Sequence, residues 1–553
     1  MATTDQVPPE TPLFNEQHPL TYPGRPLRIL IVIDGRINLA HDANLFGLGF
    51  VIDTLRSKAW WGWLGIDRIE LALATREENI TGSFRGDFEV QYKGFRFDKV
   101  GFEIDRWDQI WIFADRPSES ADVDFDADTL IAADVAALGD GEARVLAEWM
   151  DRGGGLFATG DHNNLGASVC HRIPRVRTMR KWRIADGVPS MEGPRRHQTL
   201  QGFPGNANDE YDSRLQPLDL VYARSVSFWP FFYEDHPHPI MAAGTGPIDH
   251  FPDHMHEGEI VPDAEVLMDR PLDIPGYSRP EYPRAVPEIL ARRFGVESFE
   301  WRPRSLIIAY GQTTNRTFFS PTPWGLPSSW SKRFGIVGVY DGEPANIGRV
   351  VCDSTWHHWL SMNVARLAAS DSQDWKKMQR YYRNIAKWLT RFPRRQRMLT
   401  ASVWNVLAQY PPMEFTQQQT VWQMGRRVME IITPVLGPSW VNELVASHFD
   451  ATSLHQVRDP EDPVRRPDWS RLPETLVNQA VIGSLAKALY PLAEQMSLDC
   501  MRRSDVMPDA EVIDKQAGAG VAQVRNLLQE TLTAAIDSLT GLRQKLDAKA
   551  VSR

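Results

Sequence analysis

The stretch LRILIVID, residues 27–34, decides the fold class of this chain. Its apolar, largely β-branched residues run without a break up to Asp34, which is typical of a strand buried on both faces. Further apolar runs follow in RIELALAT (68–75), QIWIFAD (109–115), GLFATGD (155–161) and RVVCDS (349–354). Because helical patterns separate several of these runs, we predict an α/β fold with a mostly parallel sheet and helices on both faces.

The rest of the chain divides by composition around this sheet. Residues 1–26 are rich in proline and predict an extended arm. Residues 27–392 form the predicted α/β domain, with an insertion at about 162–300 in which proline, glycine, histidine and aromatic residues are dense. We interpret this insertion as a lid or wall over the sheet edge.

Residues 393–553 carry long helical patterns and predict a helical C-terminal domain. The last of these patterns has an apolar stripe at three- and four-residue steps, formed by Leu528, Leu532, Ala535, Leu539, Leu542 and Leu546. Such a stripe indicates packing onto neighbouring helices. The alternative is a seam between two copies of the chain, so a homo-oligomer is a candidate assembly.

Composition excludes several function classes. The formal net charge of the 553 residues is −10, which gives no global basic surface for nucleic acid. No window approaches the roughly 18 apolar residues that a membrane span needs. Three widely spaced cysteines indicate neither a zinc ribbon nor a disulfide framework, so we expect a cytoplasmic protein. No GxGxxG fingerprint for a dinucleotide follows the first strand.

Aspartates end four of the predicted strands. In an open α/β sheet, ligands bind outside the carboxyl ends of the strands, so these side chains are candidates for a site. Histidines follow two of the aspartates, and tryptophans bracket the HH pair in STWHHW (354–359). The candidate catalytic residues are Asp161, His162, Asp353, His357 and His358, and the candidate substrate-binding residues are Asp34, Asp115, Trp356 and Trp359.

Three chemistries use such groups. A divalent metal ion needs three or four oxygen or imidazole ligands, and DHMHEGE (253–259) offers His254, His256 and Glu257. Metal-free hydrolysis needs an acid and a base with separated pKa values. A pocket for a polar ligand needs the same donors without chemistry. Because DHMHEGE matches no standard metal motif, a histidine-rich surface loop is its alternative interpretation.

Four short segments resemble the class I glutamine amidotransferase-like superfamily, and most closely its trehalose-utilisation-type branch. They are GGGLFATGDH (153–162), HPIM (238–241), GRVVCDSTWHHW (348–359) and YYRNIAKWL (381–389). The resemblance covers roughly residues 27–392 and implies a flavodoxin-like frame with a site at the carboxyl edge of its sheet. It lacks the nucleophilic cysteine elbow of the amidotransferases, because the comparable strand end reads ATGDHNN.

These observations predict a hydrolase that acts on a polar small-molecule substrate, an amide or a glycoside, with or without a metal ion. The alternative is a non-catalytic ligand-binding or scaffold protein on the same frame. A third interpretation is an effector or assembly protein whose helical part joins partners.

Overall fold

The computed structural model describes residues 26–57, 61, 64–66, 68–78, 90–117, 137–161, 165–182, 215–228, 232–252, 259–285, 302–312, 333–409, 418–448, 474–501 and 509–551. The predicted arm, residues 1–26, lies outside this range except for Pro26.

Fifteen strands are present in the described residues. They are β1 (Leu27–Ile33), β2 (Ile69–Thr75), β3 (Val90–Tyr92), β4 (Gln109–Phe113), β5 (Gly155–Thr159), β6 (Leu215–Pro217), β7 (Asp219–Leu220), β8 (Tyr222–Phe228), β9 (Phe232–Pro237), β10 (Ala242–Ala243), β11 (Gly246–Pro247), β12 (His250–Pro252), β13 (Ser305–Gln312), β14 (Arg333–Tyr340) and β15 (Val350–Asp353).

Eleven α-helices accompany them in the same part of the chain. They are α1 (Gly49–Arg56), α2 (Asp140–Asp151), α3 (Ala167–Cys170), α4 (Val176–Met179), α5 (Ser361–Ala369), α6 (Gln373–Trp388), α7 (Phe392–Gln409), α8 (Val421–Leu436), α9 (Pro438–His448), α10 (Glu474–Met501) and α11 (Ala510–Val551).

The central sheet has nine strands in the order β3-β2-β1-β4-β5-β15-β14-β13-β7. The first six are parallel to one another. The last three pair antiparallel, and the pairing of β14 with β15 across the turn at 341–349 follows from the short connection between them. The predicted mostly parallel sheet with helices is thus confirmed.

Helices cover both faces of this sheet, as the alternation of side chains along β1 shows. Ile29 and Ile31 point into a core that contains Leu55 of α1 and Ile385 of α6. Leu30 and Val32 point into a second core. That second core contains side chains of α2, α3 and α4, among them Leu146, Ala167 and Val176. Because both faces are covered, the parallel strands are almost continuously apolar.

The helical C-terminal region is present as predicted, and it packs directly on the α/β part. Trp404 of α7 and Val481 of α10 belong to the same core as Ile385 of α6. A buried guanidinium strengthens this junction, because Arg349 donates to Glu443 of α9 at 2.7 Å. No helix in the described part of the chain is long and apolar enough to cross a bilayer.

Candidate functional site

The four strand-end aspartates lie at the carboxyl ends of four neighbouring strands, β1, β4, β5 and β15. Register aligns Ile33, Phe113, Thr159 and Asp353 in one row across these strands. Asp34 follows that row by one residue, and Asp115 and Asp161 follow it by two. Since neighbouring strands lie about 4.8 Å apart, the row from β1 to β15 spans roughly 14 Å. The sequence prediction of one shared edge therefore matches the topology.

The topological switch point of the sheet lies between β1 and β4. The chain passes from β1 to β2 on one side, and β4 pairs on the other side of β1. Helical crossovers on opposite faces leave a crevice at such a point, where ligands of open α/β sheets bind. Asp34 and Asp115 stand in the two loops that border this crevice.

Asp34 is held by main-chain groups at the switch point. Its Oδ1 accepts hydrogen bonds from the backbone N–H of Asp115 and, at 3.2 Å, of Arg116. The hydroxyl of Ser168 lies 3.5 Å from Oδ2. Burial raises the pKa of Asp34 to about 7, and the charges of Glu77 and Asp115 add to the rise. A carboxyl group with such a pKa exchanges its proton near neutral pH.

A set of alternating charges surrounds Asp34. Arg36 donates two hydrogen bonds to the carboxylate of Asp115, from Nη2 at 2.8 Å and from Nε at 3.1 Å. Arg116 donates to Glu77 at 2.7 Å. Asp115 is fully buried, whereas the side chain of Arg36 is 31% exposed. The charged cluster at the switch point therefore reaches solvent through Arg36.

Gly35 lets the first loop turn away from Asp115. Its φ is +61°, and a Cβ at this position would lie 2.2 Å from Oδ2 of Asp115. Only glycine adopts this conformation without steric cost. Glycine is therefore required at position 35 for the contact between the two loops.

Asp161 and His357 form a buried pair one strand away. Nε2 of His357 lies 3.1 Å from Oδ2 of Asp161. Nδ1 lies 3.2 Å from Oδ1 of Asn363, a residue of α5. Both ring nitrogens face side-chain oxygens, so the imidazole is oriented from two sides. The side chains of both Asp161 and His357 are buried.

Asp353 and His358 form a separate network beneath α6. Oδ2 of Asp353 accepts from Nε2 of His358 at 2.8 Å, from Nε1 of Trp359 at 3.1 Å and from the hydroxyl of Tyr381 at 2.9 Å. The ring of His358 stacks on Phe251 at 4.1 Å. Such a set of side-chain donors inside an aromatic cluster stabilises packing between the sheet and α6.

The two candidate substrate-binding tryptophans are buried. Trp359 packs against Phe157 with 4.7 Å between ring centroids, and Trp356 packs edge-on against Phe46 at 5.9 Å. The indole of Trp359 also donates to Asp353. Trp359 is thus part of the core, whereas Trp356 lies beside the Arg36 loop, with 6.0 Å between the guanidinium and its ring.

Four predicted site residues lie outside the described residues: His162, His254, His256 and Glu257. In the part of the chain that the structure describes, no group of three or more histidine, cysteine, aspartate or glutamate side chains is arranged to hold a metal ion. The metal hypothesis therefore stays a prediction about DHMHEGE.

Sequence reasoning missed Arg180, a fully buried arginine at the same edge. Its Nη2 donates to the carbonyl oxygens of Asp161 at 2.7 Å and Ser354 at 3.1 Å. It follows α4 inside the predicted insertion, where no local pattern marked it. Asn363 was missed too, because its contact with His357 joins two different helical segments and follows no helical spacing.

Cys170 and Cys352 are buried thiols. Burial raises the pKa of Cys352 to about 12 and raises the pKa of Cys170 well above its usual value. Because the thiolate is the nucleophile, neither group is activated for attack at neutral pH. This agrees with the missing cysteine elbow.

Comparison of the chain with protein-family models, with curated proteins and with solved structures found no match.

Proposed function

We propose that this chain is a hydrolase for a polar small molecule, acting at the carboxyl edge of its sheet. One observation supports the proposal most strongly. The buried side chains of Asp161, His357 and Asn363 are joined by two consecutive hydrogen-bond contacts. The carboxylate of Asp161 serves as the general base, and His357 is a positioning residue that holds it. Amides and glycosides are the substrate classes that we infer.

The geometry supports this division of roles. Both nitrogens of His357 face side-chain oxygens, so its ring is oriented from two sides. The contact with Nε2 of His357 fixes the carboxylate of Asp161 in one orientation, as a base needs to be held in order to take a proton from water. A low-dielectric surrounding strengthens every such electrostatic interaction.

Asp34 supplies the complementary group. Its pKa of about 7 keeps much of it protonated at neutral pH, so it can donate a proton where Asp161 accepts one. Two strand spacings, roughly 10 Å, separate the ends of β1 and β5. Two carboxyl groups at unequal protonation are the requirement of metal-free hydrolysis.

A panel of chromogenic anilides, esters and glycosides tests this proposal, with and without a chelator. Asp161→Asn should lower kcat/KM on any substrate that turns over by about 100-fold or more, the usual value of a general base. Asp105→Asn is the matched control, because Asp105 is exposed and pairs with Arg152 on the surface. Hydrolysis that survives Asp161→Asn would refute the assignment, and sensitivity to the chelator would favour the metal hypothesis.

Burial favours a second candidate function, a non-catalytic ligand-binding or scaffold protein on the same frame. The side chains of Asp161 and His357 are 1% and 0% exposed. If the pair only supports the fold, Asp161→Asn should cost on the order of 1–3 kcal/mol of stability, and no substrate in the panel should turn over. Urea unfolding beside the turnover assay separates the two functions.

A further inference from the structure

Arg180 is fixed in place by backbone and side-chain contacts. Its main chain forms an antiparallel bridge with Ile260, and Ile260 forms another with Gly335 of β14. The guanidinium lies over the ring of Trp182, with 4.0 Å between Cζ and the ring centroid. Nη2 joins the loop after β5 to the loop after β15 through two carbonyl oxygens. The head group is therefore preorganised at the carboxyl edge.

The remaining N–H donors of this guanidinium are buried, and no described residue accepts a hydrogen bond from them. Nε and Nη1 of Arg180 have no hydrogen-bond partner within the described part of the chain. The hydroxyl of Ser354 is also buried, and it too has no partner among the described side chains and backbone groups. This hydroxyl belongs to the residue whose carbonyl accepts from Nη2 of Arg180.

A buried donor without an acceptor lowers the stability of the folded chain. A buried N–H or O–H that finds no acceptor loses its hydration, and a buried guanidinium stays charged because arginine does not lose its proton in proteins. The charges of Asp161 and Asp353 act on the guanidinium of Arg180, but neither carboxylate accepts a hydrogen bond from its Nε or Nη1. An oxyanion is the ligand that satisfies both the charge and the donors of Arg180.

We propose that Arg180, with the hydroxyl of Ser354, holds an oxyanion group of the ligand, either a carboxylate or a phosphate. The proposal rests on the proposed function and narrows its substrate class to anionic small molecules. The bound oxyanion would stand next to Asp161, which places the scissile bond of the substrate beside the general base.

Binding of simple oxyanions by the full-length protein tests this site. Formate and inorganic phosphate are titrated at constant ionic strength with chloride as the balancing ion, and calorimetry and the thermal midpoint report binding. Wild type should show saturable binding of at least one of the two anions. Formate binding alone indicates a carboxylate group, and phosphate binding alone indicates a phosphate group.

Three variants assign the binding to this position. Arg180→Met should weaken binding at least tenfold, and Arg180→Lys should retain part of it because a positive charge remains. Ser354→Ala should weaken binding several-fold while the fold stays intact, so it keeps the test decisive if the arginine variants unfold. Arg333→Met removes one exposed charge that pairs with Asp219, and it should bind as wild type does.

Two results would overturn the inference. One is wild-type protein that binds neither anion, which would mean that internal water satisfies Arg180. The other is binding that Ser354→Ala and the arginine variants leave unchanged. Anion binding without any turnover in the substrate panel would refute the hydrolase proposal and support the oxyanion site. Turnover that depends on Asp161, in a protein that binds neither anion, would support the hydrolase proposal and refute the oxyanion site.

Discussion

Replacing Asp34 by asparagine should remove a pH-dependent loss of stability. The carboxyl of Asp34 is buried at the switch point, and its pKa rises from 3.8 to about 7. The folded chain therefore holds a proton that the unfolded chain releases above about pH 4. The stabilising effect of that proton is complete below pH 3.8 and is lost as the pH rises towards 7.

The magnitude follows from the width of that window. Each pH unit between the two pKa values is worth roughly 1.4 kcal/mol, so a window of about three units gives about 4 kcal/mol. The asparagine Oδ1 can accept from the same two backbone N–H groups, and its Nδ2 can donate to Ser168. Asp34→Asn should consequently be more stable than wild type at pH 8, by up to about 4 kcal/mol, and close to it at pH 4.

Urea unfolding from pH 4 to pH 8, followed by tryptophan fluorescence and circular dichroism, measures this difference. Because the two proteins differ only at this position, the gap between them reports Asp34 together with its electrostatic coupling to Glu77 and Asp115. Asp105→Asn, at an exposed position, should give a small gap with no such trend. A gap between wild type and Asp34→Asn that does not widen from pH 4 to pH 7 would refute the reasoning.

Three other perturbations have defined outcomes. Gly35→Ala forces a Cβ against Asp115 at a positive φ and should lower stability by about 1–3 kcal/mol in urea unfolding; an unchanged midpoint would contradict the described loop contact. Tyr381→Phe removes a donor to Asp353 and should cost about 1–2 kcal/mol without altering turnover by more than a few-fold; a large loss of turnover at full stability would move Asp353 into the reaction. Deleting residues 532–553, which hold Leu532, Leu539 and Leu546 of the apolar stripe, should lower the number of chains per particle measured by light scattering; an unchanged number of chains would mean that the stripe packs within one chain.

The parallel half of the sheet was predictable because its strands carry their signal locally. LRILIVID and QIWIFAD are apolar at consecutive positions, and this pattern arises when helices cover both faces. The position of the aspartates at one edge followed from the same reasoning, since parallel strands share their carboxyl ends. The strand order could not be read from the sequence, because it depends on which face each connecting helix packs.

The hydrogen-bond partners of the site residues could not be predicted from local sequence patterns. His357 meets Asp161 across 196 positions, and Arg180 meets Ser354 across 174. Such contacts are fixed only when the strands are ordered side by side. His357 and Asn363 are only six residues apart, but they lie in two different helical segments, so the i,i+3 and i,i+4 spacing of helix neighbours did not predict their contact either.

The strand-end aspartates have different roles because different groups donate hydrogen bonds to them. Asp353 receives an indole, a phenol and an imidazole on one oxygen, all from residues that pack between the sheet and α6. Asp34 accepts from two backbone amides and has the negative charges of Glu77 and Asp115 nearby. Side-chain donors from the core tie Asp353 to the fold, whereas Asp34 keeps a proton that it can exchange near neutral pH. Chemistry at this edge is therefore to be sought around Asp34 and the Asp161–His357 pair, whereas Asp353 and His358 support the packing beneath α6.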